Sequence, residues 1–350
     1  MKNTVKRNSV DLINADCLHF IQSLPDDSID LIVTDPPYFK VKPNGWDNQW
    51  KGDEDYLKWL DHCLAQFWRV LKPAGSLYLF CGHRLASDIE IMMRERFNVL
   101  NHIIWAKPSG RWNGCNKESL RAYFPATERV LFAEHYQGPY RGKSDGYAAK
   151  ERELKQHIMA PLISYFRDAR AELGITAKQI AEATGKKNMV SHWFGASQWQ
   201  LPNEADYRKL QALFSRIAAE KFQEQQLEQP HHQLVASYDS LNRKYSELLD
   251  EFKSLRRYFS VSVSVPYTDV WMHKPVQFYP GKHPCEKPVD MLRQIINASS
   301  RPGDLVADFF MGSGSTIKAA MALGRRALGV ELESERFNQT VKEINELVGK

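Results

Sequence analysis

The sequence predicts an α/β fold carried by the two ends of the chain, with an all-helical region inserted between them. Three observations lead there. Before residue 150, short apolar runs alternate with amphipathic stretches; after residue 260 the same alternation returns; the stretch between has no strand signal. The predicted regions are therefore 1–150, 151–259 and 260–350.

In the first region VDLINAD (10–16), DLIVTDPPY (30–38), SLYLFCG (76–82), HIIWAK (102–107) and RVLFAEH (129–135) read as strands. YLKWLDHCLAQFWRVLK (56–72) is apolar at helical spacing and is halted by Pro73 and Gly75. In the last region DLVADFF (304–310) and RALGVE (326–331) are strands flanking a Gly/Ser turn and the helix IKAAMALG (317–324). Strands alternating with helices predict a parallel sheet.

The inserted region has two textures. LGITAKQIAEATGKKNMVSHWFGASQWQLPNEADYRKLQALF (173–214) contains a short helix, a turn at Thr184-Gly185 and a second helix through Val190 and Trp193, the spacing of a helix-turn-helix. Residues 231–259 carry Leu234, Tyr238, Leu241, Tyr245, Leu248, Phe252, Leu255 and Phe259 at alternating steps of four and three. That is a heptad seam on one long helix. It serves equally an antiparallel hairpin within the chain and a coil joining two chains as a homodimer.

The 350 residues carry a formal net charge of +5, which suits a polyanionic partner but is shared by many enzymes. Five scattered cysteines without a CxxC pair predict neither a disulfide framework nor a metal site, and fit a reducing compartment. MKNTVKRNSVDL has no apolar run behind its basic residues, and no stretch approaches the roughly 20 apolar residues that span a bilayer. A soluble, cytoplasmic protein without a membrane partner is expected.

Asp35-Pro36-Pro37-Tyr38 follows the apolar strand DLIVT directly. In an open α/β sheet the loop at a strand's carboxyl end borders the ligand crevice. An aromatic amine is a poor nucleophile because its lone pair is delocalised into the ring. A carboxylate and a backbone carbonyl that accept its two N–H groups pull the nitrogen towards tetrahedral geometry and free the lone pair. Asp35 can supply the carboxylate and Pro36 the carbonyl; the two prolines fix φ and remove competing donors. Tyr38 can stack on a flipped base. The same letters also make an ordinary turn that closes a strand.

VADFFMGSGST (306–316) follows a strand and opens a helix, so Gly312 and Gly314 let the backbone approach a ligand beside free N–H groups. The turn is neither the dinucleotide GxGxxG nor a P-loop. Glu331, at the end of the next strand, can accept hydrogen bonds from ribose hydroxyls or stand as a solvated charge.

Together these elements resemble the amino-group DNA methyltransferases, in the permuted class whose catalytic motif precedes the cofactor motif. Asp35–Tyr38 matches the family's [DNS]PP[YFW] element. Asp308, Phe310, Gly312, Ser313 and Gly314 match its DPFxGSGTT element, with Phe309 in place of proline and Ser315 in place of threonine. HPCEKPVDML (283–292) is similar to the HPxxKP segment through His283, Lys287 and Pro288. Asn14-Ala15-Asp16-Cys17 resembles the GDC element, whose acid lies beside the cofactor's adenine, and IIWAKPSG (103–110) resembles the IIWxKxNG strand.

The resemblance implies a Rossmann-like, seven-stranded S-adenosylmethionine-dependent methyltransferase sheet assembled from both chain ends. It also implies direct methyl transfer to adenine N6 in double-stranded DNA without a metal. Asp35, Pro36, Pro37 and Tyr38 are then catalytic. Asp16, Asp35, His283, Lys287, Asp308, Phe310, Gly312, Ser313, Gly314, Ser315 and Glu331 hold the cofactor. Candidate DNA contacts are Lys40, Lys42, Trp46 and Trp50 in the loop after the motif, Arg111 and Trp112 in a second loop, and Lys186, Lys187, Asn188, Ser191 and His192 on the recognition helix. For either tryptophan of the first loop, packing over the sheet edge is the competing expectation.

Cytosine-N4 methylation is the runner-up, although serine commonly leads the tetrapeptide there. A cytosine-C5 enzyme needs a Pro-Cys nucleophile, and the one cysteine that follows a proline is Cys285 in the HPCEKP segment. A DNA-binding regulator with a relic sheet would not need intact Asp35, Tyr38, Gly312 and Gly314. The chain resembles the prophage-borne adenine methyltransferases with such an insert. Some of them have very relaxed sequence preference, which implies the same here.

Overall fold

The computed structural model describes residues 3–7, 9–40, 45, 48–108, 118, 120–135, 147–221, 227, 229–254, 257–261 and 268–348. They fall into two compact units, Met1–Asp145 with Leu255–Lys350, and Gly146–Ser254.

Along the first unit the chain forms β1 (Asn3–Arg7), β2 (Val10–Asn14), α1 (Cys17–Ile21), β3 (Ile29–Thr34), α2 (Asp53–Val70), β4 (Leu71–Cys81), α3 (Ala86–Arg94), β5 (Asn98–Ala106) and β6 (Thr127–Glu134). The second unit contributes α4 (Tyr147–Leu173), α5 (Ala177–Thr184), α6 (Val190–Phe194), α7 (Glu204–Lys221) and α8 (His231–Ser254). The chain then returns to the first unit with β7 (Val270–Trp271), α9 (Val289–Ser299), β8 (Leu305–Asp308), α10 (Ser315–Ala322), β9 (Arg326–Glu331) and α11 (Ser334–Val348).

The sheet has nine strands in the order β1-β2-β9-β8-β3-β4-β6-β5-β7, which corrects the expected seven. Both additions are edge strands. β1 lies antiparallel on β2, and the two-residue β7 lies parallel to β5. Neither NTVKR nor VW is long or apolar enough to announce a strand by periodicity. The sheet is also mixed, because β6 runs antiparallel to both β4 and β5.

β3 is buried along nearly its whole length, as expected of a strand covered on both faces. Ile32 packs in the cluster that includes Leu60, Leu64 and Phe67 of α2, while Leu31 and Val33 join Ile295 of α9 and Ile317 of α10. α2 ends at Val70, before Pro73, and β4 runs on through both predicted breakers. The β3–β4 register jumps from Ile29↔Leu71 to Leu31↔Ser76, so Lys72–Gly75 bulge out of the ladder. Pro73 therefore forfeits no ladder hydrogen bond. A Cβ on Gly75 would stand 2.6 Å from Leu71 Cδ1.

β8 pairs with β3 in parallel, Leu31↔Val306 and Ile32↔Ala307. Two strands from opposite ends of the sequence thus finish side by side, at a point where the connections leave in opposite directions.

The described residues of the second unit form helices and no strand. Thr176 and Gln179 close a capping box on α5, which stops at Gly185 in the left-handed region (φ 74°). Lys187–Met189 make a 3-10 turn before α6. Leu234 of α8 is buried in this unit's core, with Tyr238, Leu241 and Tyr245 packed against it. The first half of the heptad seam is therefore occupied within the chain. α8 ends at Ser254, and Phe259 belongs to the first unit, where it stacks on Phe132 at 5.5 Å. That shortens the predicted seam of 231–259. Among the described residues no helix is long and apolar enough to cross a membrane, and no cluster of His, Cys, Asp or Glu is placed to hold a metal.

Candidate active site

Four strand ends and one loop converge on a single open cavity. β3 delivers Asp35, Pro36, Pro37 and Tyr38; β8 delivers Asp308 and the turn with Phe310, Gly312 and Ser313; β9 delivers Glu331; Asp16 follows β2. The loop into α9 adds His283 and Lys287, and Ser315 opens α10. Of the residues predicted to hold the cofactor, Gly314 alone is not a wall. It caps α10 at φ 71°, where a Cβ would lie 2.6 Å from Thr340 Cγ2.

The walls are braced by hydrogen bonds. Thr34 Oγ1 donates to Asp308 Oδ1 (3.0 Å) and accepts from the Phe309 N–H (3.1 Å), tying the ends of β3 and β8 together. Glu331 Oε2 accepts the Gly312 N–H at 3.0 Å and its Oε1 the Glu333 N–H at 2.8 Å. Gly312 sits at φ 49°, and a Cβ there would reach the His283 ring at 3.2 Å. Asp16 caps α1 through the His19 N–H (3.0 Å).

Asp35 is the centre of the site. Its Oδ2 accepts from Lys287 Nζ at 2.5 Å, whereas its Oδ1 is buried and finds no hydrogen-bond partner among the described residues. Tyr38 OH donates to Glu128 Oε2 at 3.2 Å, and its ring lies 5.2 Å from Lys287 Nζ.

The family model described as DNA methylase, covering N6 and N4 methyltransferases, matches residues 29–342. The chain belongs to this DNA methylase family. The type II methyltransferase M1.MboII of Moraxella bovis is 46% identical over 337 residues, 95% of each chain. DNA adenine methyltransferase YhdJ of Escherichia coli (strain K12) is 25% identical over 339 residues, 95% of this chain and 82% of the relative. Among solved structures, the M1.HpyAVI–SAM complex superposes with a TM-score of 0.50 at 19% identity, covering 96% and 99% of the two chains. The cytosine-N4-specific PvuII DNA methyltransferase gives 0.51 at 13% identity, covering 95% and 86%. Those two share the fold.

In this DNA methylase, burial pushes the Asp35 carboxyl above its ordinary value, with Lys287 opposing. Burial opposes the charge on Lys287, yet the carboxylates of Asp35 and Glu128 outweigh it and hold the ammonium above the usual lysine range. Burial also opposes the Glu128 charge, but Lys287 and Lys107 bring its carboxyl below the usual value. Thr34 and Glu128 carry no local signal in the sequence, because each works through a partner far away in the chain, Asp308 and Lys287. Lys107, which pairs with Glu128, is the lysine of the IIWAKPSG strand.

The methylase's predicted DNA contacts divide. Lys40 is exposed, with its Nζ 4.8 Å from the Phe39 ring centroid. Trp50 is corrected to a packing residue: it is 8% exposed and lies 4.7 Å from Trp59 and 5.0 Å from Tyr56, ring to ring. An indole gains more from that apolar cluster than from water. Lys186 is exposed but spends its ammonium on the buried Asp206 at 2.7 Å, and His192 Nδ1 lies 3.1 Å from the Gln198 carbonyl oxygen. Lys187, Asn188 and Ser191 are exposed together. Lys42, Trp46, Arg111 and Trp112 lie outside the described residues.

Proposed function

We propose that this DNA methylase transfers a methyl group from S-adenosylmethionine to adenine N6 in double-stranded DNA. The observation that carries the reading is the divided state of Asp35: one oxygen is fixed by Lys287, and the other is buried in the cavity wall with no hydrogen-bond partner among the described residues. A buried acceptor left without a donor is costly unless a ligand supplies one. An exocyclic amino group supplies it, and in doing so its nitrogen becomes the better nucleophile. Tyr38 offers a ring face for the extruded base.

The cavity suits the cofactor. Glu331 has acceptor capacity left beside its two backbone bonds, Asp16 stands exposed at the rim, and the Gly312 turn leaves no room for a side chain. When bound, the cofactor supplies an electrophilic sulfonium methyl. His283, Phe310, Ser313 and Ser315 complete its walls. Asp35 stands first in the tetrapeptide, and the DNA adenine methyltransferase YhdJ is among the relatives; both support adenine over cytosine. The order of the motifs, Asp35–Tyr38 before Asp308–Gly314, supports the permuted class.

In the second unit Lys187, Asn188 and Ser191 form the face that contacts DNA. Low sequence preference follows from the resemblance to the prophage-borne group. Methylated positions mapped on a random-sequence duplex will be scattered, and marks confined to one short motif would contradict that.

Purified protein incubated with labelled S-adenosylmethionine and unmodified duplex DNA, followed by nucleoside analysis, tests the whole reading. N6-methyladenine is expected. N4-methylcytosine would overturn the base assignment, and absence of transfer would overturn the activity.

A further inference from the structure

We propose that Glu128 and Lys287 are positioning residues for methyl transfer: Lys287 locks Asp35 in the rotamer that leaves Oδ1 free, and Glu128 locks Lys287 and Tyr38 in register with it. The proposal rests on Asp35 being the acceptor for the target amino group, and it assigns Lys287 to that carboxylate rather than to the cofactor.

The geometry is a closed set of four charges. Lys287 Nζ donates to Asp35 Oδ2 at 2.5 Å and lies 3.5 Å from Glu128 Oε2 and 3.4 Å from the Cys285 carbonyl oxygen. Glu128 Oε2 also accepts from Tyr38 OH at 3.2 Å, and its Oε1 pairs with Lys107. Two carboxylates thus face two ammoniums, and no net charge is left in a region where the side chains of Lys287, Asp35 and Glu128 are 8%, 17% and 19% exposed. Buried ion pairs are weak devices for stability, since apolar side chains of similar volume serve as well or better. They do fix geometry, and here every oxygen of both carboxylates has a partner except Asp35 Oδ1.

Among the described residues, Tyr38 in its own loop, Cys81 at the end of β4 and Asp308 at the end of β8 also interact with Asp35, and Cys285 in the loop before α9 interacts with Lys287. Among the described residues Lys287 is the cation that most favours the ionised carboxylate, the Tyr38 hydroxyl adds to it, and burial acts against both. Without Lys287, Asp35 takes up a proton at higher pH, and a protonated Asp35 has lost part of its acceptor capacity.

The test compares the full-length enzyme with Glu128→Gln, Lys287→Met and Lys287→Arg, using S-adenosylmethionine and duplex DNA. Glu128→Gln is expected to lower kcat about tenfold or more while cofactor Kd stays within about threefold. Lys287→Met should lower kcat further and move the acid limb of the pH–rate profile upward by about one unit. Lys287→Arg should restore part of the rate. Should Lys287→Met fail to fold, Glu128→Gln decides on the same kcat readout, because it keeps the side chain's shape. Variants that change only cofactor Kd or KM, with kcat and the acid limb as in wild type, would overturn the proposal. Failure of the wild-type enzyme to methylate DNA would instead remove the underlying reading of Asp35.

Discussion

Asp308 lies 4% exposed beneath the cavity, where burial pushes its carboxyl up to about 7 against hydrogen bonds from Thr316, the Phe310 N–H and Thr34. A carboxyl that holds its proton more tightly folded than unfolded favours the folded state at low pH. Its contribution falls as pH rises from about 4, the unfolded value, to about 7, and is constant above. Asp308→Asn keeps an acceptor for Thr34 and removes that slope. Thermal denaturation between pH 5 and pH 8 should show the variant gaining on wild type as pH rises; parallel curves would contradict the assignment. Residues of this kind were only half legible in the sequence. Asp35, Tyr38, Gly312 and Glu331 announce themselves by position at strand ends. Glu128 and Thr34 do not, because their meaning lies in Lys287 and Asp308, which are distant in sequence.

The segment after Asp35–Tyr38 shows what elements add. Phe39 and Lys40 both adopt left-handed backbone (φ 56° and 59°), a conformation that costs a side-chain-bearing residue about 1–2 kcal/mol. Burial of the Phe39 ring, stacked on Tyr56 at 5.9 Å and met edge-on by Trp50 at 5.9 Å, offsets that cost. The loop is thus shaped by an aromatic cluster, and Trp59 carries the cluster to Phe310 in the cavity wall at 5.7 Å. Trp50→Ala should lose about 3–5 kcal/mol of stability in denaturant unfolding. A loss of DNA affinity at unchanged stability would restore Trp50 to the DNA-facing set. A tryptophan between lysines reads identically whether it packs or protrudes, which is why the sequence left both expectations open for Trp50. The central strands, continuous and apolar, were legible. The bulge at Lys72–Gly75 was not, because Pro73 and Gly75 read as the end of a helix rather than a detour in a strand.

At the scale of the molecule, a sheet contributed by both ends of the chain encloses the helical unit in sequence, and its two halves meet where β3 lies beside β8. That pairing is what brings Asp35 and the Gly312 turn into one cavity from positions 277 residues apart. The mildly basic chain needs a surface for its polyanionic substrate, and Lys187, Asn188 and Ser191, exposed on the second unit, are the residues proposed for it. Lys187→Ala is expected to weaken duplex binding across unrelated sequences and to reduce the salt slope by about 1, leaving kcat at saturating DNA unchanged. An unaltered salt slope in a binding titration would place the DNA elsewhere.

The central claim is that Asp35 accepts the target's amino group through its unpartnered oxygen. Single-turnover methyl transfer by Asp35→Ala, with cofactor affinity measured in parallel, tests it most directly. The account predicts a chemical step slowed about a hundredfold or more while S-adenosylmethionine still binds. Near-normal transfer by that variant would reduce Asp35 to a turn residue and contradict the account.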